Sequence, residues 1–194
     1  MKVALIPCAP TEWSRAGRLM GRVALEPLSA DGPDWIEWVE SMRAARVGQI
    51  YHAPDELSTA VGRRLAKALG VGVRKSSELD EVDLGLWSGL TDEQLEVRYA
   101  AAHEQLCEAP LSVQPPEGEP FVEALQRIQK AAKARLKRNG HEAVGFVMRP
   151  ISLALMRYAL QQQPDAAEVW RFAASVQKPV IVEPEGSSAK VLAS

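Results

Sequence analysis

The sequence predicts a three-layer α/β/α sandwich around a mostly parallel central sheet, on three observations. Short apolar runs with little polar alternation recur at residues 2–7, 49–51 and 143–148, which is how strands buried on both faces read. Longer segments with apolar residues four apart separate them, as parallel crossovers require. Gly48, Gly70 and Gly140 fall where those segments stop rather than inside them.

Taken in order, Lys-Val-Ala-Leu-Ile-Pro (2–7) is the first strand. A loop with Gly17, Gly21 and Pro27 follows. Ser29, with Asp31 behind it, is the expected cap of a helix carrying Trp35, Ile36, Val39 and Met42. Gly48 is expected to end that helix before a second strand, 49–51. From Asp55 the period is helical, with Leu57, Val61, Leu65 and Leu69 on one face and Gly70 as the stop. Residues 71–73 read as a third strand, and 79–90, with two glycines and no clean period, as an ordered loop. Thr91 and Asp92 start a helix to about residue 102, and the proline-rich stretch 110–120 is expected to be mobile. Phe121, Leu125, Ile128 and Leu136 mark a long helix whose negative end suits Lys137 and Arg138, closed by Gly140. After strand 143–148 come a helix carrying Leu153, Met156 and Leu160, another over 164–174, and runs 179–183 and 190–192 that suggest a terminal hairpin. The whole, 1–194, is expected to be one domain. In such sheets the ligand crevice lies beyond the carboxyl ends of the strands, here near 7–10, 52–54 and 148–150.

Composition narrows the partners. Of 194 residues, 46% are apolar and 25% charged, with a formal net charge of -2. That balance suits a globular protein and gives no electrostatic case for nucleic acid or an anionic membrane. The two cysteines, Cys8 and Cys107, suggest neither a disulfide framework nor a thiolate zinc site. His52, His103 and His141 have no spacing that converges on a metal, so packing or surface roles are expected, with no metal and no cofactor. A reducing cytoplasm is the expected location, and no stretch reaches membrane-spanning length. Trp35 and Trp38 are expected in the core; an exposed one would mark a partner surface.

Six fragments, in order, resemble the histidine phosphatase superfamily, also called phosphoglycerate mutase-like. Pro7-Cys8-Ala9-Pro10-Thr11-Glu12-Trp13-Ser14 stands where the family has Arg-His-Gly-Glu-Thr-x-x-Asn, and the stretch from Gly17 to Gly32 looks like its connecting loop and helix start. Ile50-Tyr51-His52-Ala53-Pro54 resembles the strand ending in Ser-Ser/Asp-Pro. Glu81-Val82-Asp83-Leu84-Gly85-Leu86-Trp87-Ser88-Gly89-Leu90-Thr91 is similar to Glu-x-Asp-Phe-Gly-x-Trp-Glu-Gly-Leu-Thr. Pro116-Glu117-Gly118-Glu119-Pro120 stands for Pro-x-Gly-Glu-Ser, and Val144 to Pro150 for a strand ending in Ser-His-Gly.

The resemblance implies a phosphohistidine mechanism, with a nucleophilic histidine, a second histidine and two arginines on the phosphoryl oxygens, and a carboxylate as acid. In this chain the first arginine is replaced by Pro7, the nucleophile by Cys8, the phosphate-binding asparagine by Ser14, the second arginine by Leu57 and the second histidine by Arg149. Glu81 keeps the carboxylate. Losing one oxyanion-type donor costs about 3 kcal/mol of barrier, and several are lost together. The expectation is a pseudoenzyme with a binding, regulatory or assembly role.

Three alternatives stay open. Cys8 is either a small buried hydrophobe or, with Glu81, the nucleophile of a remodelled phosphatase or phosphotransferase; Arg15 falls one residue too late for a Cys-x5-Arg loop. Arg149 either forms a structural ion pair with Glu81 or binds an anion, helped by Arg15, Arg18 or Arg22. The partner is a small anionic ligand or a protein, a homo-oligomer included, or the chain is a structural subunit whose crevice its own side chains fill.

Overall fold

The computed structural model describes residues 1–28, 34–137, 140–161 and 165–184. Its sheet has the order β3-β2-β4-β1-β5, with β1 Lys2–Pro7, β2 Val47–His52, β3 Gly72–Lys75, β4 Ala143–Met148 and β5 Val180–Val182. The first four are mutually parallel, and β5 runs antiparallel against β1. β1 and β4 are buried almost throughout, which is why neither shows polar alternation.

The period of two along β1 divides the core into two layers. Val3 and Leu5 face α6 (Phe121–Lys137), α7 (Pro150–Gln161) and α8 (Ala167–Ser175), through Phe121, Ile128, Leu153, Met156 and Val169. Ala4 and Ile6 face α2 (Trp35–Ala44) and α3 (Glu56–Leu69), through Trp38, Met42, Leu57, Val61 and Leu65. Each such Leu or Ile contributes roughly 1.5–3 kcal/mol of transfer free energy. The expected three-layer sandwich is therefore the observed one.

Several local expectations are corrected. The cap of α2 is Asp34, whose carboxylate accepts from the amides of Ile36 and Glu37; Ser29 and Asp31 lie outside the described residues. Gly48 sits inside β2, and the turn before it is made at Arg46 with φ 58°. A short helix, α1 (Glu12–Arg15), replaces part of the first loop, closed by a reciprocal Thr11–Ser14 cap. The helix expected to 102 is two, α4 (Asp92–Arg98) and α5 (Ala100–Glu108), broken at Tyr99. Stretch 110–120 is tied down: the amide of Glu119 donates to Asp83 O at 2.8 Å, that of Phe121 to Val113 O at 3.0 Å, and Val113 is buried. Strand 71–73 shifts to Gly72–Lys75. The second arm of the terminal hairpin and Arg138 lie outside the described residues, and the first arm pairs with β1 instead.

Gly70 does cap α3 with φ 71°, as a left-handed residue should. Trp38 is buried, while Trp35 is half-buried with the Arg64 guanidinium 4.2 Å above its ring. Among the described residues no helix is long and apolar enough to cross a membrane.

Candidate functional site

The carboxyl ends of β1, β2 and β4 lie side by side because the register pairs Pro7 with Met148 and His52 with Val147. The residues that follow are thereby juxtaposed: Cys8 donates its amide to Met148 O at 3.0 Å, and Arg149 lies beside it just before α7 begins at Pro150. A cleft of about 800 Å³ opens above them. Pro7, Cys8, Ser14, Arg15, Arg18 and Glu81 line it; Arg149 and Leu57 do not.

Arg149 is 2% exposed and turned inward. Its Nη1 donates to Gly21 O at 2.7 Å and Val23 O at 2.9 Å, and its Nε stands 3.3 Å from Asp55 Oδ1. Asp55 in turn caps α3, accepting from the Ser58 amide at 3.0 Å. The carboxylate that faces Arg149 is thus Asp55, and the expected ion pair with Glu81 does not form. The reason is local: Glu81 is already spent.

Glu81, 1% exposed, accepts at Oε1 from the amides of Val82 (2.8 Å) and Ser152 (2.7 Å), and at Oε2 from that of Ile151 (3.0 Å). Two of these donors are first-turn amides of α7, which a helix leaves without internal partners. Burial pushes the Glu81 carboxyl above the usual carboxylate range, and the hydrogen bonds from Val82, Ser152 and Ile151 work against that rise.

Its loop is clamped by Arg127 of α6. That guanidinium donates to the carbonyls of Glu78, Asp80 and Glu81 at 2.7–3.1 Å and grips Glu119 with two bonds, 2.7 and 2.8 Å. Arg22, expected as a possible anion ligand, joins the same clamp through Glu119 at 2.8 Å and Glu81 O at 2.7 Å. Gly85, with φ 48°, lets the loop turn under the carbonyl of Pro116, where a Cβ would collide.

The remaining family positions are accounted for by local structure. Ser14 is consumed by its cap, receiving the Thr11 amide at 2.8 Å and donating to Thr11 O at 2.9 Å. Leu57 is fully buried in the α3 face of the core. Burial, with the Asp55 carboxylate nearby, drives the Cys8 thiol far above its ordinary range, so it stays protonated. Arg15 and Arg18 are exposed, Arg18 donating to Gly89 O at 2.6 Å. His52 is buried against Ala53 O and Thr59, a packing role. His103 meets Asp92 at 3.2 Å, and no cluster of three or more metal-ligating side chains occurs among the described residues.

Sequence reasoning singled out neither Asp55 as the partner of Arg149 nor Arg127 and Glu119 as the clamp. The Asp-x-x-Ser spacing at 55–58 was a readable cap signal. The far wall of the cleft, with Trp170 and Arg171, carried no such signal.

Sheet order, layering and a crevice at the strand ends define the class: an α/β sandwich of the phosphoglycerate mutase type. The chain belongs to the histidine phosphatase superfamily (branch 1), whose sequence pattern matches residues 5–193. It is similar to phosphoserine phosphatase 1 of Hydrogenobacter thermophilus, 25% identical over 174 residues, 89% of this chain and 81% of that one. Among solved structures it resembles YhfR of Bacillus stearothermophilus (TM-score 0.76, 21% identity, 95% and 92% of the two chains). A mycobacterial glucosyl-3-phosphoglycerate phosphatase is also similar (TM-score 0.75, 21% identity, 87% and 86%). At such identities the structural likeness speaks for the fold.

Proposed function

We propose that this chain is a non-catalytic member of its superfamily, a single cytoplasmic domain that uses the retained cleft to bind rather than to turn over a ligand. The observation that carries this reading is the state of the strand ends. The nucleophile position holds a protonated, buried thiol, and the one guanidinium beside it is directed at Asp55 and two carbonyls. Phosphoryl transfer needs a nucleophile in line with donors on the equatorial oxygens, and neither part is available there. Glu81, the acid, has no leaving group to serve.

The cleft volume favours ligand binding over a subunit whose crevice is filled by its own side chains. The test is hydrolysis of p-nitrophenyl phosphate and phosphoserine by the purified protein beside its Cys8→Ser variant. Background rates for both are expected. Turnover well above buffer that Cys8→Ser abolishes would overturn the proposal and establish the remodelled phosphatase instead.

A further inference from the structure

The cleft lacks more than a nucleophile: its floor offers an oxyanion little beyond the Ala9 amide. Pro7, Pro10 and Pro150 carry no amide hydrogen. The Cys8 amide is given to Met148 O, the Ser14 amide to Thr11 Oγ1 and the Ile151 amide to Glu81. All six residues line the cleft. Burying an anion where donors are few is costly, so this floor favours an uncharged group over a phosphate head.

What the walls offer is apolar. Leu19, Met20, Trp38, Trp170 and Val176 line the same space, whose volume suits a small molecule. Among the described lining residues the guanidinium groups stand at the exposed side, Arg15 (3.8 Å from Glu12) and Arg18 on one wall and Arg171 on the other, while the buried Glu81 carboxyl is taken up by the amides of Val82, Ile151 and Ser152. Two acids, Asp92 and Glu93, share that rim, Asp92 facing His103 at 3.2 Å. Arg171 is itself shared with Asp165 at 2.6 Å and Glu168 at 3.0 Å, yet its side chain is 61% exposed.

The geometry points to a ligand of inverted polarity relative to a phosphate ester: a small hydrophobic carboxylate, with its ring or chain inward and its carboxylate out among the rim arginines. This rests on the reading of the cleft as a binding site and names the ligand class for it. Apolar burial supplies the affinity, and the guanidinium groups supply the orientation and the preference for an acid.

Calorimetric titration with 4-phenylbutyrate, 4-phenylbutanol and inorganic phosphate tests it. Phenylbutyrate is expected to bind and to raise the melting temperature, with the alcohol at least fivefold weaker and phosphate without effect. Ala174→Trp, an exposed position of α8 on the cleft wall, is expected to weaken phenylbutyrate at least tenfold. Arg18→Ala combined with Arg171→Ala is expected to bring the acid down to the level of the alcohol, with the ligand-free melting temperature showing that each variant is folded. Absence of phenylbutyrate binding, tighter binding of phosphate, or indifference to both variants overturns the proposal. Should the hydrolysis assay stay blank while phenylbutyrate fails, the ligand class falls and the non-catalytic reading stands; phosphomonoester turnover overturns that reading itself.

Discussion

Arg149, at the position where the family resemblance implies a histidine, is drawn into the scaffold. Its guanidinium joins the end of β4 to the start of α3 through Asp55 and to the Gly21–Val23 turn through two carbonyls. Removing one member of a buried pair leaves the other charge uncompensated, at about 3–5 kcal/mol. Asp55→Ala is therefore expected to cost that much plus roughly 1 kcal/mol for the lost helix cap. Asp55→Asn keeps the cap and should recover about that last 1 kcal/mol, a difference readable in urea unfolding. At Cys8 the expectation is kinetic. A thiol reagent at pH 8 should modify the exposed Cys107 in the folded protein and reach Cys8 only after denaturation. Two protected thiols, or two fast ones, would contradict the burial argument.

At the scale of elements, the segment from Glu78 to Glu81 is held by a side chain 46 to 49 residues away in sequence. Arg127 meets three carbonyls and a carboxylate at once, a planar fork that a lysine cannot reproduce. Arg127→Ala and Arg127→Lys should both destabilise by roughly 1–3 kcal/mol, since they leave the Glu78 carbonyl without its donor and Glu119 Oε1 without its charged partner, while Arg22 keeps its own bonds to Glu119 and Glu81 O. Gly85→Ala should cost at least about 1 kcal/mol from the left-handed backbone alone, with the collision at Pro116 O added. Thermal unfolding of these variants checks both. This is also where sequence reading reached its limit. The strands and α3 were legible because burial on both faces and a four-residue period are local patterns, visible at residues 2–7, 57–69 and 143–148. The site was legible only in part. Glu81, Cys8 and the loss at Leu57 could be placed by motif, but the partner of Arg149 depends on how the ends of β2 and β4 meet. A 94-residue separation between Asp55 and Arg149 leaves no trace in local periodicity.

For the molecule as a whole, two glutamates should pull the pH dependence of stability in opposite directions. Burial raises the Glu81 carboxyl, so the folded state favours its neutral form; that contribution is complete below the unfolded-state value and is lost as pH rises through the folded one. The stability advantage of wild type over Glu81→Gln should therefore shrink as pH increases. Glu78 is the converse case, lowered chiefly by the Ser76 hydroxyl and also by Arg135. Its contribution is present above the unfolded-state value and lost as pH falls through the lowered one, so the advantage over Glu78→Gln should grow with pH. Melting temperatures of the three proteins from pH 3 to 8 decide both, and parallel curves would refute the assignments.

On the non-catalytic reading proposed above, the inward course of Arg149 also bears on how readily the family's residue set could be built into this chain. Writing arginine at Pro7 and histidine at Cys8 would place the family's letters at the end of β1 without building a site. Replacing Arg149 as well would strip Gly21 O, Val23 O and Asp55 of their counterpart and weaken the very turn that borders the cleft. Each single exchange at these positions costs stability before any turnover can appear. The latch thus acts as a ratchet, and installing the family's full residue set in this chain would demand several coordinated exchanges, with Asp55 among them.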